Sequence, residues 1–399
     1  MSINIPYISK EAVESVCDSF ANNEFSGFIG SPHENIYTLL PKKSADIRNI
    51  FPPKNFLGGR KVRGLEADWS EYFKTDYSIS VNSATSGLIT SILALQINNW
   101  GTVGTTAFSF TASTAAIALA GYFPYFLDVD LDTFCISPYE IEKHAELING
   151  ILYVSWAGNA GDLCLVKSFC ESFNCFLIED ASQSIGSKYD NKFIGTFGDI
   201  GIFSLNEPKN LQTGEGGIII SNDEKLAVRS RLIRNHGENI VRKEDEWLHD
   251  IIGYNFRMTE STATIGLENL KVLDLLNEKR KNNYEYLVNE LKEYQDVLVP
   301  QVITNSHFYP YIAAFRWVDK KLSRNDLARR LKMGGIPVST GLHRLLCDHP
   351  CYSGKVNTNL PNTRLLNDQY LGFYQIGFPN NLADMNEIVS AFKKILNRR

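Results

Sequence analysis

The stretch YSISVNSATSGLITSILAL, residues 77–95, decides the fold. Tyr77–Val81 reads as a short strand, a polar turn follows, and Ser86–Leu95 has the make-up of a buried helix. A helix over Leu65–Phe73 precedes it. Working outward, short β-rich runs recur at Tyr125–Asp128, Ile151–Val154, Phe176–Glu179, Ile200–Phe203 and Gly217–Ser221, with helical stretches between them. That alternation predicts an α/β domain with a mostly parallel sheet covered on both faces.

On the N-terminal side, Lys10–Ala21 places Val13, Val16, Cys17 and Phe20 at helical spacing, followed by a glycine-containing loop at Ser26–Gly30. Residues 31–63, with four prolines and Gly58-Gly59, predict no regular element. Asn239–Asp250 is charged and reads as a surface loop. Beyond Thr259 the pattern changes. Ala263–Leu291 predicts one or two long helices with Ile265, Leu267, Leu270, Val272, Leu273 and Leu276 as the buried stripe. A strand near Tyr309–Trp317 and helices over Arg324–Lys332 and Asp384–Leu396 follow. The expected organisation is a large α/β domain over residues 1–265 and a smaller α+β domain over 266–399.

The chain has 399 residues with 40 basic and 45 acidic side chains, a net charge of −5. No basic excess points to nucleic acid. Seven scattered cysteines suit a reducing compartment better than a disulfide framework. The first twenty residues carry Lys10, Glu11, Glu14 and Asp18 and hold no signal-peptide core, so a cytoplasmic protein is expected. From Tyr77 to Leu127 no residue is charged, which raises the question of a membrane span. Asn82, Asn98, Asn99, Gly101, Gly104 and Pro124 break the run, and buried elements of an α/β domain are the plainer explanation.

Neither GxGxxG opening a helix nor GxxxxGK[ST] is present, so dinucleotide and P-loop sites lack their phosphate cradle. His343, Cys347, His349 and Cys351 offer four potential metal ligands, but not the paired spacing of metal sites, and no metal is expected. The turn at residues 82–88 opens a helix whose free N–H groups suit either a phosphate or an ordinary Ser/Thr cap. Glu179 and Asp180 end a strand where ligands of open α/β sheets gather, and only one of the two can face a given site. An acidic group there suits a protonated ring nitrogen or, equally, a helix cap. Lys209 follows an apolar strand and precedes the turn Thr213-Gly214-Glu215-Gly216-Gly217, a setting for an amine that adds to carbonyls rather than for a surface lysine.

Taken in order, NSATSGL (82–88), DVDLDTF (128–134), IEDASQSIG (178–186), FGDIGIFSLNEPKNLQTGEGG (197–217), RNHG (234–237) and GYNFRMTE (253–260) resemble the DegT/DnrJ/EryC1/StrS family of sugar aminotransferases that depend on pyridoxal 5'-phosphate (PLP). The resemblance runs from about Ile5 to the end, strongest over Asn82–Glu260. It implies the fold type I PLP-dependent transferase architecture, with a seven-stranded, mostly parallel sheet. It implies that Lys209 binds the cofactor's aldehyde, Asp180 pairs with its ring nitrogen and Gln183 contacts its hydroxyl. Phe110 would stack on the ring, while Ala84, Thr85, Ser86 and Ser204 hold the phosphate. Asn255 would reach the phosphate of a second subunit, making a homodimer with shared sites. The implied partners are L-glutamate and a nucleotide-linked keto-6-deoxy sugar, in O-antigen, glycan or antibiotic sugar synthesis.

Several positions depart from the family pattern. Thr106-Ala107 stand where Pro-Ser is frequent, Ser155 and Asn206 each replace a histidine, and Tyr309-Pro310 replaces an aromatic-histidine pair. Most fall nearer the sugar than the cofactor. An acceptor of aminocyclitol type is therefore a second expectation. A related sugar dehydratase is a third, although those enzymes carry histidine in place of Lys209. A non-catalytic scaffold would need none of Lys209, Asp180, Gln183 and Ser204. His343 and Arg344 lie in a stretch that could line the substrate mouth, where a cation would pair with a diphosphate, or they are ordinary surface residues.

Overall fold

Twelve strands and their helices are defined in the computed structural model, which describes residues 7–22, 43–47, 57–96, 101–237, 251–352 and 357–396. The loops expected at Ser26–Gly30 and Asn239–Asp250, and most of residues 31–56, lie outside the described residues. In chain order the first strands are β1 (Tyr77–Val81), β2 (Thr102–Thr106), β3 (Phe123–Leu127), β4 (Gly150–Val154) and β5 (Phe176–Asp180). A two-stranded pair follows, β6 (Lys188–Tyr189) and β7 (Lys192–Phe193), then β8 (Ile200–Ser204) and β9 (Gly217–Ser221).

Seven of these form one sheet in the order β1-β9-β8-β5-β4-β2-β3. The pairs β2/β3, β2/β4, β4/β5 and β5/β8 are parallel, whereas β9 runs antiparallel to both neighbours. Six strands therefore point one way and β9 alone points back. β1, β4, β8 and β9 are buried along their whole lengths, as expected of strands covered on both faces. Alternation along the strands feeds two cores. Ile151, Tyr153 and Leu177 enter one with Trp69, Phe73 and Phe203. Leu152, Val154 and Ile178 enter the other with Leu88, Ile92 and Ile117.

β2 is absent from the sequence expectation, because Gly101 and Gly104 read as turn residues. Gly104 is instead a packing requirement. A Cβ there would stand 2.7 Å from the Ile151 side chain and 2.9 Å from that of Leu127. The helix Thr111–Leu119 also escapes the pattern, being built of Ala, Ser and Thr with little apolar contrast. Within Tyr77–Leu127 the described residues form three strands and two helices, and no described helix is long and apolar enough to cross a membrane.

The first helix spans Lys10–Ala21 as expected. The next long one begins earlier than its apolar pattern suggests, at Arg60, and runs to Phe73. Its start is capped from a distance: the Glu260 carboxylate accepts from the Gly59 N–H (3.0 Å) and the Lys61 N–H (2.7 Å). Glu260 is itself the first residue of the helix Glu260–Leu270, so one side chain joins two helix N-termini.

Beyond it the expected buried stripe needs correction. Leu270 and Leu273 are buried, but Ile265, Leu267, Val272 and Leu276 are only half-buried. On the long helix Leu273–Glu290 the inward positions include Asn277, Arg280 and Asn283 at a spacing of three. The periodicity was there, carried by polar residues that bond to backbone rather than to each other. Strands β10 (Leu298–Pro300), β11 (Ala313–Trp317) and β12 (Tyr370–Phe373) form a small antiparallel sheet. With the helices Arg324–Met333 and Leu382–Leu396 it encloses a third core around Phe315, Leu331, Phe373, Ile388 and Phe392.

Candidate active site

The C-terminal ends of β1, β5 and β8 and the N-terminal end of β9 meet at one edge of the sheet. At the end of β5 the two carboxylates divide. Glu179 turns into the protein and accepts from the Gly195, Phe197 and Gly198 N–H groups at 2.7, 2.6 and 2.6 Å. Burial pushes its pKa up while those three donors pull it down. Its acceptor capacity is spent on holding a loop. Asp180 faces the opposite way. Its Oδ2 accepts from the Ser113 hydroxyl at 2.9 Å, and its Oδ1 accepts from the Ser182 N–H at 3.3 Å.

Ser113 stands in the first turn of the helix Thr111–Leu119, whose N-cap residue is Phe110. Phe110 is 69% exposed. The Asp180 carboxylate is thus tied to the same helix start that carries Phe110.

After β1, Ser83 caps the helix Ala84–Ala94, its Oγ accepting from the Ser86 N–H at 3.1 Å. The Ser86 hydroxyl donates to Asn82 Oδ1 at 2.6 Å. Among the described residues the N–H groups of Ala84 and Thr85 meet no acceptor. This turn lies hard against the sheet. A Cβ on Gly217 would stand 2.7 Å from the Ala84 nitrogen, and one on Gly87 3.2 Å from Ile202. Ser204 ends β8 opposite Gly217, its Oγ accepting weakly from the Asn206 N–H at 3.4 Å.

Lys209 follows in the loop between β8 and β9. Its Nζ lies 4.2 Å from the centre of the Tyr311 ring. Its pKa falls to about 8: burial lowers it most, the Asp180 charge raises it, and the Arg280 charge lowers it again. Gln183 is buried and its Oε1 accepts from the Ala157 N–H at 2.7 Å. Ala157 sits in a left-handed turn at φ 60°, and its carbonyl in turn accepts from the Tyr311 N–H at 3.0 Å. Gln183 and Tyr311 are therefore tied through one residue.

Asn255 is exposed. Its neighbours bond to the backbone of residues 233–236, and the Phe256 carbonyl accepts from the Asn82 N–H at 2.8 Å, beside the turn after β1. His343 and Arg344 are exposed too. The segment just beyond them joins the loop after β2, where the Leu346 N–H donates to the Ala107 carbonyl at 3.2 Å. Cys347 belongs to the main core, and no three His, Cys, Asp or Glu side chains among the described residues converge as metal ligands.

Ser113, Tyr311 and Arg280 are neighbours of these groups that the sequence alone does not reveal. Ser113 lies three residues from Phe110, so helical spacing could have found it. Tyr311 and Arg280 come from distant segments that only the fold brings in. The assembled chemistry is an amine of lowered basicity, a carboxylate within electrostatic reach, an exposed aromatic ring and a helix start with two free N–H groups. That set can add to an aldehyde, hold a protonated nitrogen, cover a flat ring and bind a phosphate.

Fold and site together define an α/β enzyme of the aminotransferase class. Residues 40–374 match the model of the DegT/DnrJ/EryC1/StrS aminotransferase family, and the chain belongs to that family. It is 32% identical over 305 residues to a GDP-perosamine synthase of Escherichia coli O157:H7, covering 74% of this chain and 80% of that protein. It is also 32% identical over 272 residues to a UDP-4-amino-4,6-dideoxy-N-acetyl-beta-L-altrosamine transaminase of Campylobacter jejuni, covering 64% of this chain and 69% of that one. Among solved structures, an E. coli GDP-4-keto-6-deoxy-D-mannose-3-dehydratase with bound hydrated PLP superposes with a TM-score of 0.79. The match covers 98% of this chain and 100% of that one at 21% identity, a likeness of fold.

Proposed function

We propose that this protein is a PLP-dependent aminotransferase that moves an amino group from L-glutamate to a keto group of a nucleotide-linked keto-6-deoxy sugar. The observation that carries it is Lys209, a half-buried amine within electrostatic reach of the strand-end carboxylate Asp180. The names of the sugar-nucleotide relatives support the substrate class.

The residues fit PLP. Lys209 would bind its aldehyde, Asp180 its ring nitrogen, Gln183 its hydroxyl and Phe110 the face of its ring. The free N–H groups of Ala84 and Thr85, with the Ser86 and Ser204 hydroxyls, would hold the phosphate. When bound, PLP supplies an aldehyde for the incoming amine and a ring that accepts the electron pair left when the C–H bond breaks. Lys209 Nζ then takes the proton from the donor's α-carbon as general base and later returns one as general acid. Asp180, oriented by the Ser113 hydroxyl, would hold the proton on the ring nitrogen.

We assign the same setting the rest of its organisation. The cofactor-binding part spans residues 1–265 and the smaller unit 266–399. The enzyme is cytoplasmic and serves O-antigen or a related sugar pathway. It acts as a homodimer in which the exposed Asn255 completes the phosphate site of the partner subunit. His343 and Arg344 lie at the substrate mouth. An Arg344→Ala variant should raise the KM for the nucleotide sugar about tenfold through loss of a charged contact, and an unchanged KM would remove it from the site.

The visible absorption of the purified protein tests the main reading, with Lys209→Ala alongside, before and after L-glutamate. A yellow band that glutamate bleaches, and that the variant cannot regenerate, is expected. Colour indifferent to glutamate would point to another donor or another PLP reaction. A protein colourless after reconstitution would overturn the catalytic reading.

A further inference from the structure

Arg280 is a buried cation on the inward face of the helix Leu273–Glu290, 5% exposed. Burying a guanidinium is costly unless its donors are met, and it stays charged wherever it is placed. The usual solution is a carboxylate partner. Among the described residues Arg280 makes no ion pair. Its Nη1 donates to the Tyr311 carbonyl at 3.3 Å, and its Nη2 to the carbonyls of Pro208 and Lys209 at 3.4 and 3.5 Å. These three oxygens belong to the turn that carries Lys209 and to the residue whose ring lies under its amine. Gly377 packs close to it: a Cβ there would stand 2.6 Å from the guanidinium carbon.

We propose that Arg280 is a positioning residue: through the carbonyls of Pro208, Lys209 and Tyr311 it holds the turn that carries Lys209 against the Tyr311 ring, and it sets at that turn a cation that no carboxylate among the described residues neutralises. The geometry does two jobs with one group. Carbonyl acceptors meet both terminal nitrogens without cancelling the charge, so the field at Lys209 keeps its sign. The charged groups facing the amine are Asp180 from β5, which favours the proton, and Arg280, which opposes it; the Tyr311 ring also lies against it and attracts a cation. Burial acts in the same direction as Arg280. The balance leaves the amine neutral often enough to attack a carbonyl and to accept a proton.

The proposal draws its catalytic meaning from the role given to Lys209, but its test reads the amine directly. The full chain, freed of bound cofactor, is reductively methylated over a pH series, and modification of Lys209 is followed by mass spectrometry. Wild type should show a midpoint near 8. Arg280→Met and Arg280→Gln should raise it by about one pH unit, while Arg280→Lys, which keeps the charge and loses the fork, should leave it low. Thermal unfolding is recorded on the same samples, and should Met fail to fold, Gln, whose amide still donates to carbonyls, carries the comparison. A midpoint unmoved in the neutral variants, or moved equally in all three, would overturn the proposal in favour of a purely structural role. Failure of the aminotransferase reading would appear elsewhere, as a protein that neither colours with PLP nor responds to glutamate.

Discussion

At the scale of single residues, the neighbouring carboxylates Glu179 and Asp180 show how one strand end serves structure and chemistry at once. Three backbone donors saturate Glu179, whereas Asp180 meets one hydroxyl and one long amide contact. In its proposed pairing with the ring nitrogen, Asp180→Asn should lower kcat/KM on the order of 10²–10³-fold, since a neutral amide would no longer favour the ring proton, while leaving the fold intact. Ser113→Ala, which removes only the hydrogen bond that orients Asp180, should cost about tenfold. Steady-state kinetics with both variants checks the order. Lys209 carries a pH signature as well. Its folded value near 8 lies below the ordinary lysine value of 10.5, so between the two the unfolded chain holds more protons. Stability should therefore rise with pH across that window. Denaturant titrations of the cofactor-free chain at about pH 8 and about pH 10 should show this rise, and Lys209→Met should lose that part of it.

At the scale of elements, most strands and the helix Lys10–Ala21 were legible because apolar residues recur there at the right period. β2 was not, because Gly104 sits where two neighbouring side chains fill the space of its own. Nor was the inner face of the helix Leu273–Glu290, since Asn277, Arg280 and Asn283 answer to distant carbonyls that a linear pattern cannot show. Lys209, Asp180, Gln183 and Ser204 could be singled out together because they stand in motifs of fixed order, whereas Tyr311 is brought to Lys209 only by the fold. Packing between elements also depends on buried charge. Glu66 and Arg234 pair at 2.6 Å with neither side chain exposed, linking the helix Arg60–Phe73 to the helix Glu224–Arg234, and the Ser80 N–H and hydroxyl both donate to Glu66. Glu66→Ala should destabilise the protein by about 3–5 kcal/mol, because it leaves the guanidinium without that carboxylate in a dry interior. Chemical denaturation measures this, and a loss below about 1 kcal/mol would mean water reaches the site.

At the scale of the whole molecule, the proposed sharing of sites between two chains has a direct test. Lys209→Ala and Asn255→Ala chains, mixed after separate inactivation, should regain part of the activity, since one site of the hybrid holds both lesions and the other holds neither. If each site is built from one chain, mixing will restore nothing. Size-exclusion chromatography with light scattering reads the assembly itself.

The polar face of the helix Leu273–Glu290 also bears on how such an enzyme could be rebuilt. Asn277 receives the Asn210 amide at 2.9 Å and donates to the Ile185 carbonyl at 3.0 Å. Arg280 grips the lysine turn, and Asn283 donates to the carbonyls of Ile376 and Asn380 at 2.9 and 3.1 Å. One surface, less than two turns long, thus keys four segments of the chain to each other, those at Ile185, Pro208–Asn210, Tyr311 and Ile376–Asn380. A chimera that borrows the C-terminal part of a relative to change its acceptor sugar cannot be spliced at an arbitrary point on this helix. A seam before Asn277 parts these side chains from the Ile185, Pro208 and Lys209 carbonyls, and one after Asn283 parts Asn283 from those of Ile376 and Asn380, so a working chimera must match the three side chains to acceptors on both sides of the joint.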